Sequence, residues 1–457
     1  VKTATPDGGS AVTMEYDVQG NRTKLIDPDA GTITNTYNAF GQVLTRSQNV
    51  HGDTPVVTTY EYEASSGRLT SETMVGDTTM TKTYTYNTKF KDSPNYIRYN
   101  SKDCLQFSYD EYGNNIRFYR KNADGTTLLQ RDYYTKGQVE KRSRTSGSSH
   151  YAYDEYGNMV QEKFIKKVAW ELLEQNARGQ VVRERKSGIV TTYTYDNCGR
   201  VTSIVAPGVV SLHYTYDAHG NVLTKTDAIN NQRIDYSYDY LMRLQSWTIN
   251  DTVTHSISYD NATGKILCKT DLGTESSFIY DSSSKPHALR GVSGITSDWG
   301  DEDMDITYTD FSKIKSIQKG GVEYQITYTP DEQRFKSTLS RYGSTTTRYY
   351  MPDFEKYVNS VGGEQYYTYL CDGSMSVYNK SSLTRTFYHG YYDAQGSLIA
   401  LTDSSGNVLA RYAYDPWGKR VKPTDWTQEA NAPTTLNLKR GYTMHEHLDE
   451  FELINMN

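Results

Sequence analysis

Aromatic and polar residues alternate along most of this chain in a short pattern that returns many times. One copy reads Tyr193-Thr194-Tyr195-Asp196-Asn197-Cys198-Gly199, and related copies begin at Tyr151, Tyr214 and Tyr412. Tyrosines at positions i and i+2 point to the same face of a β-strand, whereas the small residue between them faces the other way. The pattern therefore predicts strands with one tyrosine-bearing face.

The residues that follow the second tyrosine predict a hairpin turn. Asp or Asn suits the first position of a type I turn, and Gly takes the left-handed conformation that closes a three-residue hairpin loop. An alternating run such as Val222-Leu223-Thr224-Lys225-Thr226 leaves this turn, and a second turn such as Asp27-Pro28-Asp29-Ala30-Gly31 brings the chain back. One repeat unit is therefore two strands and two turns.

The second tyrosine of every copy marks the period of the repeat. Clear copies lie at Tyr16, Tyr37, Tyr62, Tyr86, Tyr109, Tyr134, Tyr153, Tyr195, Tyr216, Tyr238, Tyr259, Tyr280, Tyr392 and Tyr414, and weaker ones at Gln175, Tyr308, Tyr328, Tyr350 and Tyr369. The mean spacing of about 22 residues is typical of stacked repeat architectures. We expect about 19 units and roughly 38 strands, with weaker Asp and Gly signals between about 281 and 391.

Residues 164–175 fit two structures. Phe164, Val168 and Leu172 share the stripe of an amphipathic helix. The repeat register instead puts a strand over Trp170 to Gln175, followed by a turn. We favour the strand because it keeps the period of the neighbouring units.

The composition favours a thin sheet over a thick core. Hydrophobic residues make up 36% of the chain, tyrosine alone supplies 42 of 457 residues, and the mean hydropathy is −0.74. Such polarity is typical of disorder, but abundant Tyr, Thr and Val at strand spacing argue against disorder. We expect both faces of the sheet to be partly wet, with tyrosine rings buried and tyrosine hydroxyls hydrated.

Charge and cysteine content bear on several classes of function. The net charge is −6 with no basic run, which argues against nucleic acid as the main partner. No apolar segment approaches the roughly 18 residues of a membrane-spanning helix. The chain begins at Val1 without a signal-like segment, so we expect a fragment or processed product. The spacing of Cys104, Cys198, Cys268 and Cys371 fits no metal pattern, and we expect unpaired thiols and no cofactor.

The predicted number of strands sets a scale for the molecule. About 38 strands spaced at roughly 4.8 Å would form a ribbon about 180 Å wide, or a ring roughly 58 Å across. Sheets twist and avoid bare edges by closing or spiralling. We therefore expect an all-β chain whose β-hairpin ribbon spirals into a hollow shell or part of one.

The repeat resembles the YD repeats of bacterial Rhs proteins, of the C components of Tc insecticidal toxins, and of teneurins. The last 70 or so residues sharpen the resemblance. Segments similar to an Rhs-associated core domain are Tyr392 to Leu398, Leu401 to Asp403, Gly406 to Val408, Tyr414 to Gly418, Arg440 to Phe451 and Leu453 to Asn457. The resemblance covers almost the whole chain. It divides the chain into repeats at 1–385, degenerate from about 281, and a core-like segment at 386–457 that is truncated at its C-terminal end.

The resemblance implies a structural function. Rhs and Tc C shells wrap a C-terminal toxin and keep it sequestered until delivery, so the implied partners are an encapsulated toxin polypeptide and delivery-system proteins. The implied location is secreted or at the bacterial cell surface. Teneurins use the same shell without a toxin, which leaves an extracellular carbohydrate- or receptor-binding adhesion module, with glycans as partners, as the alternative.

The resemblance also implies an aspartyl-type self-cleavage that uses two Asp-Pro-x-Gly elements. Asp415-Pro416-Trp417-Gly418 matches the first element, and the second would follow Asn457. Aspartyl proteolysis shares one proton between two close carboxylates. Asp415 is therefore half of a self-cleavage pair at most, or simply the turn aspartate of the last repeat. We expect no enzyme activity from this chain.

Two smaller features of the C-terminal segment stay open. Met444 and Glu452 stand where the family commonly has Gly, so the local turn differs if either position needs a positive φ. His445, His447 and Asp449 would share one face of a strand and could hold a metal, although such clusters are more often surface polar residues. Tyrosines also suit sugar stacking, but cross-strand packing accounts for them more simply.

Overall fold

The computed structural model describes residues 2–5, 11–28, 31–49, 55–76, 79–121, 128–273, 277–280, 289–292, 304–309, 313–329, 332–351, 353–427, 436 and 438–455. These residues form antiparallel β-strands and contain no α-helix, which confirms the all-β prediction. The chain divides into two compact units. Unit 1 is Val1–Thr145 with Ser258–Tyr350, and unit 2 is Ser146–Ile257 with Met351–Asn457.

The strands are short and follow one another through the chain. They are β1 Thr3–Ala4, β2 Val12–Tyr16, β3 Arg22–Asp27, β4 Gly31–Tyr37, β5 Val43–Asn49, β6 Val56–Tyr62, β7 Leu69–Val75, β8 Thr79–Tyr86, β9 Pro94–Tyr99, β10 Lys102–Tyr109, β11 Asn115–Lys121, β12 Leu128–Thr135, β13 Gln138–Arg144, β14 Gly147–Tyr153, β15 Met159–Phe164, β16 Lys167–Gln175, β17 Val181–Lys186, β18 Ile189–Tyr195, β19 Val201–Ala206, β20 Val210–Tyr216, β21 Val222–Asp227, β22 Gln232–Tyr238, β23 Leu244–Ile249, β24 Val253–Tyr259, β25 Ile266–Lys269, β26 Phe278–Tyr280, β27 Leu289–Val292, β28 Asp305–Tyr308, β29 Ile314–Lys319, β30 Val322–Tyr328, β31 Arg334–Arg341, β32 Ser344–Tyr350, β33 Phe354–Val358, β34 Glu364–Tyr369, β35 Met375–Asn379, β36 Thr384–Tyr392, β37 Leu398–Asp403, β38 Val408–Arg411, β39 Ala413–Tyr414, β40 Arg420–Val421, β41 Glu446–Leu448 and β42 Leu453–Asn455. Short 3-10 turns lie at Cys371–Gly373, Tyr442–Met444 and Asp449–Phe451.

Within each unit, consecutive strands pair as an antiparallel meander. In unit 1, β4 pairs with β5 and the register shifts by one residue between Thr36 and Tyr37. In unit 2, β20 pairs with β21 and the same shift falls between Thr215 and Tyr216. A bulge at this position is typical of a type I turn closed by a left-handed glycine. The predicted hairpin of the repeat unit is therefore confirmed.

The two faces of a strand differ in burial, as β20 illustrates. Val210, Leu212 and Tyr214 are buried, whereas His213 and Thr215 on the opposite face are exposed. The buried face of β20 packs in unit 2 with residues of β19, β36 and β37. Burying a side chain such as leucine contributes about 1.5–3 kcal/mol, so alternation along the strand fixes which face enters the core.

The repeat register predicts a strand over Trp170 to Gln175, and the structure has a strand over Lys167–Gln175. Strand β15 ends at Phe164 and β16 begins at Lys167, and the two residues between them have φ of 47° and 69°. Two left-handed residues make the tight hairpin turn that matches strand twist. The helical alternative is wrong, because Trp170 on this strand donates from Nε1 to Glu184 across the sheet at 2.7 Å.

All four cysteines are free, as predicted. Among the described residues, no helix combines the length and the apolarity needed to cross a membrane. Part of the degenerate region, including residues 281–288 and 293–303, lies outside the described residues. The number of units and the division after residue 385 stay predictions, and β36 runs through that point without a break.

Candidate functional site

An ordinary repeat turn uses its aspartate as a structural acceptor, as Asp217 shows. Its Oδ1 accepts N–H hydrogen bonds from His219 at 2.9 Å and Asn221 at 2.8 Å, and its Oδ2 accepts the Asn221 amide at 2.8 Å. These hydrogen bonds, the Asn221 side chain first, lower the pKa of Asp217. Gly220 has a φ of 100° and closes the turn. The same two backbone bonds to the Oδ1 of the turn aspartate or asparagine recur at Asp17, Asn38, Asp110, Asp154, Asn176, Asp196, Asp239, Asn359 and Asp403.

In many repeat units the second tyrosine bonds to a backbone carbonyl that precedes it in the chain. Tyr216 Oη donates to the backbone carbonyl of Val201 at 2.6 Å, and Tyr37 Oη donates to that of Arg22 at 2.7 Å. We call this bond the tyrosine staple. It recurs with distances of 2.6–2.9 Å at Tyr62, Tyr86, Tyr109, Tyr195, Tyr238, Tyr280, Tyr328 and Tyr392. The expectation that tyrosine hydroxyls are simply hydrated is wrong for these residues, because a backbone carbonyl accepts each one.

The turns are also bonded to one another along the sheet edge. The residue after the turn glycine reaches the next turn: Gln180 Nε2 donates to the carbonyl of Gly199 at 2.8 Å. Arg200 Nη1 donates to the carbonyl of Asp217 at 3.0 Å in the same way. Turn and strand contacts therefore both connect neighbouring repeat units, and these copies of the motif stabilise the sheet.

Asp415, the candidate from sequence, holds the last repeat turn in this same manner. Its Oδ1 accepts N–H hydrogen bonds from Trp417 and Lys419, each at 2.8 Å, and Gly418 has a φ of 88°. Unlike Asp217, Asp415 is buried, with 7% of its surface exposed. One carboxylate oxygen thus satisfies two backbone N–H groups of the turn, so the geometry supports the turn role of this residue.

Packing from other elements fixes the Asp415 turn in unit 2. Tyr442 Oη donates to the Pro416 carbonyl at 2.9 Å. The Trp417 ring lies 5.6 Å from the buried ring of Trp247. A Cβ at Gly418 would come within 2.6 Å of Tyr442 Cδ1 and of Ile454 Cδ1. Only glycine therefore fits at this position.

Charged residues surround the same turn in paired form. Asp449 pairs with Arg420 and lies 3.1 Å from Lys439 Nζ, which also lies 3.2 Å from Glu450 Oε1. Cations therefore neutralise both carboxylates, in contrast to the proton-sharing pair that aspartyl proteolysis needs. The role of Asp415 in self-cleavage stays a prediction.

His445, His447 and Asp449 do not converge on a metal position. His447 is buried, and its Nε2 accepts the Tyr442 backbone N–H at 3.0 Å. Burial, followed by the charge of Arg420, lowers the pKa of His447 to about 3. The short strand β41 ends before Asp449, which the ion pairs already engage. No cluster of metal-ligating side chains occurs among the described residues.

Met444 and Glu452, where the family commonly has Gly, both adopt the left-handed conformation. Their φ angles are 60° and 54°. A residue with a Cβ is less stable there than glycine by roughly 1–2 kcal/mol. The backbone turn is therefore kept at both positions, and the departure from Gly introduces strain instead of a different turn.

A second buried turn acid lies at Asp393. Its Oδ1 accepts N–H bonds from Gln395 and Ser397 at 3.0 and 2.8 Å, and its Oδ2 lies 2.8 Å from Lys225 Nζ. Burial alone would lower the pKa of Lys225, but the Asp393 charge, followed by Tyr214, outweighs burial and raises it. This turn therefore combines the local repeat geometry with a tertiary ion pair.

A buried charged cluster in unit 2 was missed by sequence reasoning. The Lys186 side chain is only 1% exposed, and its Nζ donates to the Gly390 carbonyl at 3.0 Å. It pairs with Asp372 and lies 3.4 Å from Glu184 Oε1. Tyr193 Oη donates to Glu184 at 2.7 Å. The available signal was Glu184 and Lys186 at i and i+2, which puts two charges on one face of a strand.

The electrostatics of this cluster follow from burial and pairing. Burial alone would raise the pKa of Glu184, but Lys186 and the hydrogen bonds to Glu184 lower it. Burial, with a further contribution from the Glu184 carboxylate, raises the pKa of Asp372 although Lys186 opposes the shift. Two carboxylates thus share one ammonium group, which ties β17 to the turn Cys371–Gly373 within unit 2.

Comparison with known proteins agrees with this geometry. A family model named RHS Repeat matches residues 176–208 and 392–430, which contain the turns of Asp196, Asp393, Asp403 and Asp415. The tRNA nuclease WapA of Bacillus subtilis is 25% identical over 377 residues, covering 80% of this chain and 13% of WapA. The chain therefore contains Rhs repeats. A tRNA3(Ser)-specific nuclease WapA of Bacillus spizizenii is 27% identical to the Rhs chain over 218 residues.

The Rhs chain spans only a small part of these relatives, 8% of the Bacillus spizizenii protein and 13% of the Bacillus subtilis protein. Among solved structures, TcdB2-TccC3 matches 97% of the Rhs chain and 27% of its own chain, with a TM-score of 0.72 and 17% identity. The Tc holotoxin pore of Photorhabdus luminescens matches 97% and 26%, with a TM-score of 0.69 and 16% identity. At such identities the likeness establishes the antiparallel β fold.

Proposed function

We propose that this chain is a wall segment of an Rhs-type, toxin-associated hollow shell. The observation that carries the proposal is the tyrosine staple. It joins one repeat unit to the next through the backbone and needs no ligand or substrate. Its support is the fold shared with the TcdB2-TccC3 chain, which covers 97% of this chain and 27% of that one. Because the residues of the repeated motif form hydrogen bonds within the chain itself, they suit a structural role.

The proposed cargo is a toxin polypeptide that follows this chain in a longer protein. The matched relatives bear the names of nucleases, and one matched structure is described as lacking a hypervariable C-terminal region. These descriptions support an Rhs shell that is constant and a cargo that varies. In this proposal the shell works outside the bacterial cell or at its surface, with delivery-system proteins as further partners.

Small-angle scattering of the purified chain tests the hollow shape. A solid domain of this length has a radius of gyration near 22 Å. A curved, hollow wall places mass farther from its centre, so we expect a clearly larger value together with a thermal transition of a folded protein. A value near that of the solid sphere would contradict the shell.

A fusion tests the cargo. A small nuclease placed after Asn457 should be digested by trypsin at least ten-fold more slowly than the same nuclease behind an unrelated domain of similar size. Equal digestion rates, with the β chain itself intact, would argue against enclosure while leaving the wall fold untouched.

Exposed aromatic residues at turn tips favour a second candidate, the carbohydrate- or receptor-binding module. Phe40, Tyr112, Tyr156 and Tyr240 are 78–88% exposed at variable positions of their turns. Aromatic faces stack on sugar rings and anchor protein partners. A glycan array supports this candidate if binding occurs and is lost when Tyr156 and Tyr240 are changed to Ser. An array without hits removes its glycan form.

We propose that the chain has no enzyme activity of its own, with Asp415 as half of a cleavage pair in a longer parent. Intact mass after prolonged incubation should equal the mass of the full chain, both for the native protein and for Asp415→Asn. A cleaved native chain with an intact Asp415→Asn variant would overturn this proposal and make Asp415 catalytic without the second element.

A further inference from the structure

A small cavity opens on one face of strands β5 to β8 in unit 1. Register places its residues in cross-strand rows: Arg46 pairs with Thr58, and Thr58 pairs with Met74. In the adjoining row, Tyr60 pairs with Glu72. Residues directly opposite each other in neighbouring strands have side chains in contact range. The cavity has a volume of about 80 Å³, and Glu332, from the second segment of unit 1, completes its lining.

The floor of the cavity is apolar. Val56 is 5% exposed and Met74 is 9% exposed, and the half-buried Met80 lies beside Met74 in register. This space suits a compact group of a few atoms, such as the head of a small molecule.

Part of the charge at the cavity is already paired. Glu72 accepts a hydrogen bond from Tyr84 Oη at 2.7 Å and lies 3.1 Å from Lys82 Nζ. These contacts engage the Glu72 carboxylate within the sheet. Lys82 and Glu72 therefore form a border of the cavity and contribute no net charge to it.

The remaining charges are not engaged by the described part of the chain. The Arg46 guanidinium donates to Gln48 Oε1 at 3.2 Å, and no described carboxylate lies within ion-pair distance of it. The Glu332 carboxylate likewise has no ion pair among the described residues, although its backbone is held in a turn with a φ of 56°. Burial raises the pKa of Tyr60, with Glu72 adding to the shift, Arg46 opposing it and Glu332 adding to it. Both charges thus act on the same phenol.

We propose that this cavity is a binding site for a free α-amino acid. The carboxylate of the ligand pairs with the Arg46 fork, whose geometry suits bidentate contact, and accepts the Tyr60 hydroxyl. The ammonium group pairs with Glu332. The first carbons of the ligand pack on Val56 and Met74. The site does not depend on the proposed shell function, since a solid or a hollow chain would carry it.

Titration calorimetry with L-methionine, N-acetyl-methionine and methioninamide tests the site on the purified chain. We expect saturable binding of the free amino acid, and at least ten-fold weaker binding of each blocked derivative, because each lacks one of the two charges. Arg46→Gln and Glu332→Gln should each weaken binding at least ten-fold. Arg22→Gln, which removes an exposed arginine outside the cavity, should leave the affinity unchanged.

Several results would overturn the site. They are the absence of saturable binding up to about 10 mM, equal affinity for methionine and a blocked derivative, and equal effects of Arg46→Gln and Arg22→Gln. Tyr60→Phe serves as a second variant that keeps the ring in the sheet, with an expected loss of about three-fold. Circular dichroism melting of each variant separates a lost site from a lost fold.

Discussion

The Asp217 turn and the Asp415 turn carry the same motif in two environments. In both, Oδ1 of the aspartate accepts two backbone N–H groups and a glycine with positive φ closes the loop. A Cβ on Gly220 would have Arg200 Nη1 as its nearest neighbour at 3.8 Å, whereas a Cβ on Gly418 would collide with two side chains. Local sequence therefore determines the conformation of the turn. The neighbouring elements determine whether the turn is exposed, as at Gly220, or packed against other side chains, as at Gly418.

The aspartates of exposed and buried turns also differ in their partners. Asp217 is engaged by its own turn and the Asn221 amide, whereas Asp393 also faces Lys225. Removing the partner of a buried charge costs free energy, because the remaining charge stays buried and unpaired. At an exposed charge, water takes the place of the lost partner. The comparison predicts that equal substitutions in the two kinds of turn have unequal effects.

The largest expected effect separates the two glycines. Gly418→Ala should destabilise the chain by about 3 kcal/mol, of which about 1–2 comes from the positive φ and the rest from overpacking against Tyr442 and Ile454. Gly220→Ala should show only the first part, about 1–2 kcal/mol. Urea unfolding followed by tyrosine and tryptophan fluorescence measures both. Equal losses of unfolding free energy would mean that Tyr442 and Ile454 move aside without cost.

The acid substitutions come next. Asp393→Asn keeps the turn acceptor but leaves Lys225 without its counter-charge, and should lower the free energy of unfolding by about 2–3 kcal/mol. Asp217→Asn should change it very little, because Asn holds the same turn at Asn38 and Asn176. Thermal melts at neutral pH compare the two variants. A larger loss for Asp217→Asn would refute the distinction between exposed and buried turns.

A pH series sharpens the comparison further. His447 has a folded pKa of about 3 against an ordinary value of 6.5, so below pH 6.5 the unfolded chain takes up a proton that the folded chain refuses. Stability therefore falls as the pH drops from 6.5 towards 3, by about 2 kcal/mol at pH 5 for this residue. Relative to the native chain, His447→Gln should lose less stability between pH 7.5 and pH 5.

The matched control for the pH series is His219→Gln in the exposed Asp217 turn, which makes the same substitution outside the buried site. His389 adds to the acid sensitivity of both variants, because burial lowers its pKa to about 4. An unchanged pH profile for His447→Gln would show that the buried imidazole is protonated without cost.

The smallest effect concerns a turn that lacks its glycine. Met242 stands at the glycine position of the Asp239 turn with a φ of 62°. Met242→Gly should stabilise the chain by about 0.5–1 kcal/mol, since relief of the left-handed strain exceeds the entropy gained by the unfolded state. Met242→Ala keeps the Cβ and should show no gain in the same denaturant titration.

The repeat turn could be predicted from sequence because its determinants lie within five residues. Aspartate accepts from the residues two and four positions ahead, and glycine supplies the positive φ, so a single copy contains the whole interaction. The strand predicted over Trp170 to Gln175 followed from the same register, and the structure extends it to Lys167–Gln175. The tyrosine staple was missed because its acceptor lies in a different strand, and alternation reveals only which face a ring occupies.

The charged cluster of unit 2 could not be assembled from sequence. Lys186 lies 186 residues before Asp372, whose carbonyl it contacts, and no local pattern relates them. The same holds for Trp417 on Trp247, which dock the Asp415 turn. For Asp415 itself the sequence left two roles open, and the structure accounts for its turn role through the bonds from Trp417 and Lys419.

The tyrosine staple has a fixed direction along the chain, because its acceptor always precedes its donor. Each staple joins a tyrosine to a carbonyl that precedes it by 14 to 19 residues in the chain. A ribosome releases the acceptor before the donor, so every link can close as soon as its tyrosine emerges. Folding that grows by nearest-neighbour additions avoids long loop closures. The sheet can therefore form strand by strand during synthesis, starting from its N-terminal strands.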